Sequence, residues 1–252
     1  MSTSELPVKL QVQLRAMAQP KRYRQTMSNA KPDWATSAEQ RVLNAAIALA
    51  PTEGWTRRTA RRAAVQAGLA EADADLLMPN GASDLAALLS RRHDAAAFLA
   101  LADLDPRTLK IRDRIARAVQ ARVEAAAADG EATRRLLGWL ALPHHLPLGA
   151  RLLWESADAI WRWAGDTATD ENHYSKRAIL SGVLGPAIAI RLASGREAAD
   201  DYIHRRIAEV MAFEKWKANL PKTDVAFELA GALGKFRYGR AKPASEPPPA
   251  AQ

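Results

Sequence analysis

AILSGVLGPAIAI, residues 178–190, is the stretch that decides the fold. Its thirteen residues carry no charge, and they lack the alternation of apolar and polar residues that marks a half-buried strand. A run that is apolar on every side predicts a helix enclosed by other helices. Gly182 and Gly185 leave notches on that helix, and Pro186 removes one helical hydrogen bond and predicts a kink. The notches suit either a close helix crossing or an elongated apolar ligand, whose other wall would be the predicted helix over 147–164.

The remainder of the chain also predicts helices. No window alternates Val, Ile and Thr with polar residues at period two, and Ala is abundant throughout. We therefore expect an all-α protein of about ten helices. The 252 residues are enough for one sizeable core or two small ones. Because the chain has no Cys, disulfides, thiolate metal sites and Cys nucleophiles are excluded.

The order of predicted helices resembles a tetracycline-repressor-like arrangement. The first helix is predicted to begin near Ser37 and to break at Pro51, and two short helices and a longer fourth one follow. The predicted divisions are a basic mobile tail (1–36), a vestigial helix-turn-helix-like module (37–82), a larger helical domain (83–217), an amphipathic helix (218–240) and a disordered tail (241–252).

A helix-turn-helix module raises the alternative of a transcriptional regulator with an apolar effector. Its third helix would enter the DNA major groove, where phosphates require cationic partners. That helix instead carries Glu71, Asp73 and Asp75 with no Lys or Arg, which indicates that DNA binding is lost and that nucleic acid is not a partner. The contrary feature is a set of four arginines on the second helix: Arg57, Arg58, Arg61 and Arg62.

The net charge of +8 lies entirely at the two ends of the chain. Residues 1–37 hold six Lys and Arg against two acids, residues 215–252 hold seven against three, and the segment between is balanced. Basic ends favour an anionic surface. The sequence contains no run of about 18 uncharged apolar residues, so it predicts no membrane span. We expect a cytoplasmic protein, peripheral on a bacterial inner membrane, or a protein on the mitochondrial matrix face if the basic N-terminus is a presequence.

Three further segments carry a family resemblance. LPHHLP (142–147), WRWAGD (161–166) and TDENHYSKRAIL (169–180) are similar to those of the Coq-nine family of lipid-binding ubiquinone-biosynthesis proteins. The resemblance extends from about residue 38 to 240 and is specific only in the region 142–180. It implies a tetracycline-repressor-like fold, a homodimer, binding of isoprenoid quinone intermediates or phospholipid, and assistance to a di-iron ubiquinone-pathway hydroxylase.

The resemblance and the apolar helix together predict two sets of binding residues. The expected lipid-binding residues are Leu153, Trp154, Trp161, Ile179, Gly182, Val183, Pro186 and Ala187. The expected hydroxylase-binding residues are Ile160, Trp163, Asp170, Asn172, His173, Tyr174 and Arg177. His173 stands where some family members have Trp, so the ring at this position is smaller and titratable. Asp170 is also a suitable N-cap for the helix that follows.

The predicted last helix, over 222–238, is basic and amphipathic. A helix of this kind lies on an anionic bilayer or docks on its own domain. The family resemblance favours the membrane. The expected membrane-binding residues are Val225, Leu229, Leu233, Lys235, Phe236, Arg237 and Arg240.

The sequence carries no catalytic signature. It lacks a Gly-x-Ser-x-Gly turn, a phosphate-binding loop and the Glu-x-x-His pairs of di-iron bundles. His144 and His145 lie between prolines with no carboxylate at ligand spacing, so we expect no metal site. We predict a non-enzymatic protein without a cofactor, and the remaining alternative is an assembly scaffold that binds no lipid.

Overall fold

The computed structural model describes residues 34–166 and 171–218, with the side chains of the second segment given for 173–212. Every regular element in these residues is helical, which confirms the all-α prediction. The helices are α1 (Trp34–Glu53), α2 (Arg57–Gln66), α3 (Glu71–Leu77), α4 (Ala82–Ala100), a 3-10 turn (Pro106–Thr108), α5 (Ile111–Ala128), α6 (Gly130–Leu140), α7 (Leu146–Trp163), α8 (Glu171–Ser194) and α9 (Arg196–Ala218).

Local chemistry fixes several of these boundaries. The Thr56 hydroxyl accepts the Thr59 backbone N–H at 3.0 Å and caps α2. The prediction for α1 was wrong at both ends, because the helix begins at Trp34 and contains Pro51. Its end is set by Gly54, whose φ of 70° is easily adopted only by glycine. A proline in the last turn costs one hydrogen bond without stopping the helix.

The described residues form two compact units. The first comprises 34–95 with 128–152, and the second comprises 96–127 with the described part of 153–218. This division differs from the predicted boundary at 82/83, since α6 and the start of α7 belong with α1, α2 and α3. The first three helices therefore share their core with later parts of the chain.

The core of the first unit is centred on Trp55, which is 1% exposed. Its indole Nε1 donates to the Ala132 carbonyl at 3.0 Å, so the loop after α1 is tied to α6. Val42, Leu43 and Leu85 are buried around it in the same hydrophobic cluster. A buried Trp with a satisfied N–H supplies apolar area without a polar penalty.

The second unit buries one face each of α5, the end of α7, α8 and α9. Its largest apolar side chains with less than 2% exposure are Ile160, Leu184, Ile203, Val119 and Val123. The turn between α8 and α9 is made by Gly195, whose φ is 92°. Because that turn is so short, α8 and α9 run antiparallel along each other.

Helix α8 is only partly enclosed, which corrects the prediction that it is buried on every side. Leu180, Val183, Leu184, Ala187 and Ile188 face the core. The opposite face is exposed, and its side chains are small: Ala178, Gly182, Pro186 and Ala189. The sequence could not distinguish the buried face from the exposed one, because Gly, Ala and Pro are apolar on either face. By length and composition 173–194 could cross a membrane, although core helices of other proteins meet the same criteria.

Candidate functional site

A half-open cavity of about 420 Å³ lies within the second unit. Its walls come from the start of α5, the end of α7, the first half of α8 and the second half of α9. The apolar lining residues are Ile111, Ile115, Trp161, Ala164, Ile179, Leu180, Val183, Ile207, Val210 and Met211. The polar ones are Arg112, Arg114, Asp166, Ser175 and Lys176. The volume is in the range of about 300–1,000 Å³ that suits small-molecule ligands.

The cavity has a polar end and an apolar end. Its polar side chains all stand at helix termini, where α5 and α8 begin and just after α7 ends. Along α8 the lining changes from Ser175 and Lys176 to Ile179 and then Val183. Eight residues of helix span about 12 Å. An elongated amphipathic molecule fits this gradient with its head at the polar end, and about two isoprene units of ~5 Å each fit beside α8.

The polar end is held together by the Arg177 side chain, which is 2% exposed. Its Nε donates to Asp158 at 2.5 Å, and its Nη1 donates to Asp166 at 3.2 Å and to the His173 carbonyl at 3.0 Å. Lys176 Nζ donates to the other Asp166 oxygen at 2.8 Å. These bonds join α7, the segment after it and the first turn of α8, and a buried guanidinium needs such partners.

Trp161 connects this ion-pair network to the cavity wall. Its Nε1 donates to the Lys176 carbonyl at 3.2 Å, and the Lys176 ammonium lies 5.2 Å from its ring centre. The indole therefore lines the cavity with its apolar surface while its N–H and ring face are engaged by α8.

The structure assembles only part of the predicted lipid set. Trp161, Ile179 and Val183 line the cavity, whereas Leu153, Trp154, Gly182, Pro186 and Ala187 lie away from it. A Cβ at Gly182 would meet no atom within 4 Å, so this notch is exposed. A Cβ at Gly185 would lie 3.3 Å from Leu153 Cδ1, so the second notch accommodates a neighbouring side chain. Pro186 is exposed and Ala187 is in the core.

The predicted partner-binding set divides in a similar way. Tyr174 is 64% exposed, and its ring lies 5.1 Å from His173 and 6.2 Å from Trp154 between centres. Ile160 and Arg177 are 1% and 2% exposed, so their predicted place on a contact surface is corrected: they support the site from within.

The other predicted positions give less information. Trp163 is half-buried. Asp170, the Asn172 side chain and the whole predicted membrane-binding set over 225–240 lie outside the described residues.

Sequence reasoning missed the α5 and α9 walls. Ile203, Ile207, Val210 and Met211 repeat at helical spacing, which could have indicated an apolar stripe, but Arg205, Arg206 and Glu209 are interspersed among them. Nothing in the sequence distinguishes Arg114 from the other arginines on α5.

Comparison with known proteins shows which proteins the chain is similar to. Residues 146–214, which supply most of the cavity wall, match the COQ9 family model. Over this segment the chain is similar to the COQ9 family. It is similar to the mitochondrial ubiquinone biosynthesis protein COQ9 of Bos taurus, with 26% identity over 78% of this chain and 65% of that protein. The Xenopus tropicalis protein of the same name is 28% identical over 69% of this chain and 57% of its own length. The Homo sapiens protein is 25% identical over 69% and 57%.

The COQ9 match thus spans less than two thirds of the length of these relatives. The relatives are mitochondrial proteins by name. Within this chain the family model ends close to Met211, the last residue that lines the cavity.

Proposed function

We propose that this chain is a non-enzymatic accessory protein of ubiquinone biosynthesis that holds an isoprenoid quinone intermediate and presents it to a di-iron hydroxylase. The observation that carries the proposal is the cavity of the second unit, which is apolar along α8 and α9 and polar at one end. The names of its COQ9 relatives support the pathway. In this proposal the chain contributes binding and orientation, and the chemistry belongs to the partner.

The position of the exposed aromatic cluster suits presentation. Tyr174 adjoins both His173 and Trp154, and Ser175 and Lys176, which follow Tyr174 in α8, line the polar end of the cavity. A partner docked on Tyr174 would therefore stand within one helical turn of the ligand's head. An exposed aromatic side chain with a polar tip is typical of an interface anchor.

The capacity of the cavity defines how a long-chain ligand is held. A tail of many isoprene units exceeds the ~12 Å of lined helix, so its distal part lies outside the described cavity. The proposed membrane helix over 218–240 would leave that part in the bilayer, and the chain would lift out only the head and the first isoprene units.

The direct test is native mass spectrometry with lipid extraction on the full chain, comparing Ile207→Trp with Ala208→Trp. Ile207 lines the cavity, while its neighbour Ala208 is exposed and is not part of the lining. We expect the parent and Ala208→Trp to carry isoprenoid lipid and Ile207→Trp to lose most of it, because the indole fills the space.

Equal lipid in all three proteins would show that the cavity is not the binding site. A parent protein that never carries lipid would favour the scaffold alternative. Both variants should retain the helical circular dichroism of the parent, which separates loss of the ligand from loss of the fold.

A further inference from the structure

The turn between α6 and α7, in the first unit, exposes apolar side chains. Residues 141–147 form this α6–α7 tip, and every one of them except His145 is exposed. Leu142 and Leu146 are 44% and 53% exposed. The Leu146 N–H donates to the Leu142 carbonyl at 3.1 Å, so the two side chains stand one turn apart. Neighbouring apolar side chains that face solvent mark an interaction surface.

The α6–α7 tip is anchored to the first core. Trp139, Leu140 and Leu148, on either side of its turn, pack against the buried cluster. The Trp139 ring stacks on His145 with 3.6 Å between ring centres, and the His144 ring lies 3.9 Å from His145. Partial removal from water and the neighbouring His144 lower the pKa of the His145 imidazole, so this ring is neutral at neutral pH. The tip is therefore a fixed projection and not a collapsed loop.

The backbone of the α6–α7 tip presents few free donors. The Leu142 N–H donates to the Trp139 carbonyl at 3.3 Å, and the His145 N–H donates to the Leu142 carbonyl at 2.8 Å. Pro143 and Pro147 have no N–H to satisfy. Entry into a lipid layer requires this arrangement, because a backbone donor that loses water there without a partner carries a large penalty.

The charge pattern around the tip matches an anionic bilayer. Residues 136–150 contain no Asp, Glu, Lys or Arg, while Arg134 and Arg135 precede this segment and Arg151 follows it. Arg134 and Arg135 pair with Glu131 on an exposed helix face, where such pairs contribute little and can be exchanged for lipid phosphates. Long cationic side chains that flank an uncharged apolar segment are typical of an element that lies at a membrane surface.

We propose that the α6–α7 tip is a membrane contact, with Leu142 and Leu146 inserted into the headgroup region of an anionic bilayer and the flanking arginines on lipid phosphates. This surface belongs to the first unit. It is separate from the ligand cavity of the second unit and from the helix predicted over 222–238. The inference goes beyond the proposed function and does not rest on it.

The first test places a fluorophore on the tip of the full chain. Because the chain has no Cys, His144→Cys creates a single attachment point for the environment-sensitive fluorophore NBD. Leu76→Cys is the matched control, since Leu76 is 78% exposed in the same unit but follows Asp73 and Asp75 in α3. With vesicles of phosphatidylcholine and phosphatidylglycerol, the label at 144 should shift to the blue and brighten, and the label at 76 should not.

This readout is specific to the tip even when another part of the chain also holds the vesicles. A label at 144 that stays unchanged while the protein sediments with the vesicles would overturn the proposal, and so would a chain that does not bind vesicles at all. A blue shift that grows with protein concentration in the absence of vesicles would assign the tip to a second copy of the chain, which also overturns it.

The second test measures the contribution of the leucines by vesicle sedimentation. Changing Leu142 and Leu146 together to Ser should weaken partitioning by about tenfold, because two half-exposed leucines no longer enter the lipid. The matched control changes Val65 and Leu76 together to Ser, which removes two exposed apolar side chains of the same unit, and should change partitioning less than about twofold. Equal partitioning of the two double variants would contradict the proposal, and circular dichroism checks that both keep the parent's helices.

The two proposals fail separately. Ile207→Trp, which fills the cavity, should leave the response of the label at 144 unchanged. The serine variant of the tip should still carry lipid in native mass spectrometry. A tip that does not enter the bilayer therefore leaves the proposed function intact, and an empty cavity leaves the membrane contact intact.

Discussion

Each of the two units contains a depression lined by arginines, and the two depressions differ in what surrounds the charge. In the first unit a depression of about 320 Å³ is lined by Arg57 and Arg61 of α2 together with Asp75 of α3. These three side chains are exposed. In the second unit Arg114 is fixed by two carbonyls at the end of an apolar cavity. The number of arginines therefore does not indicate a ligand site. An arginine whose guanidinium is held in place beside an apolar wall does.

The largest effect is expected at the buried support of the second unit. Arg177→Ala should lower the free energy of unfolding by about 3–5 kcal/mol, because it leaves the Asp158 and Asp166 carboxylates without their buried partner. Chemical denaturation measures this value. Arg162→Ala is the matched control: it removes the other Asp158 partner, a side chain that is 72% exposed, and should cost no more than about 1 kcal/mol.

Tyr174→Ala distinguishes support from contact. Because this side chain is 64% exposed, its removal should change stability by less than about 0.5 kcal/mol and still abolish capture of the hydroxylase. Arg177→Ala could instead be as stable as the parent and lose only hydroxylase binding. Arg177 would then be a contact residue, as the sequence predicts, and the contrast between fixed and exposed arginines would be wrong.

A smaller effect concerns the junction of α5, α8 and α9. Arg191 and Arg196 each donate to Glu124 at 2.6 Å, and this pairing lowers the pKa of the Glu124 carboxyl to about 2. Since the folded pKa is depressed, the stabilisation is fully present above the ordinary Glu pKa and is lost as pH falls from about 4.5 towards 2. After solvent screening we expect about 1–2 kcal/mol.

The measurement is the pH dependence of unfolding for Glu124→Gln beside the parent. The variant should lack this part of the slope between pH of about 4.5 and 2. Glu209→Gln is the control, because Glu209 pairs with Arg206 on an exposed helix face, and it should keep the parent's slope. An unchanged slope in Glu124→Gln would mean that the Arg191 and Arg196 contacts do not persist in solution.

The fold was largely predictable because its signals are local. Thr56 caps a helix, glycines end helices, and the spacing of Ile115, Val119 and Val123 marks the buried face of α5. The site was less predictable because it depends on which face of each helix meets its neighbours. Gly182 and Gly185 point in different directions from the same helix. Gly182 is open to solvent, whereas Gly185 lies against Leu153. The fixation of Arg114 requires the Leu109 and Ala164 carbonyls to converge, which no sequence pattern records.

The smallest effect is expected at the first unit, where the comparison predicts no sequence-selective DNA binding. Fluorescence anisotropy with the chain's own upstream DNA and a scrambled duplex of equal length should give equal, weak, salt-sensitive affinities. Changing Arg57 and Arg61 together to Gln should reduce that weak binding on both duplexes alike, since the two exposed side chains can only contact phosphates. The matched variant carries Glu71→Gln, Asp73→Asn and Asp75→Asn, which removes the repulsion of α3 and should raise both affinities equally.

A preference of the parent for its own DNA by about a thousandfold would make the first unit the functional one, because exposed arginines beside acids would then be reading bases. The fixation of Arg114 would in that case mark an effector site of a regulator.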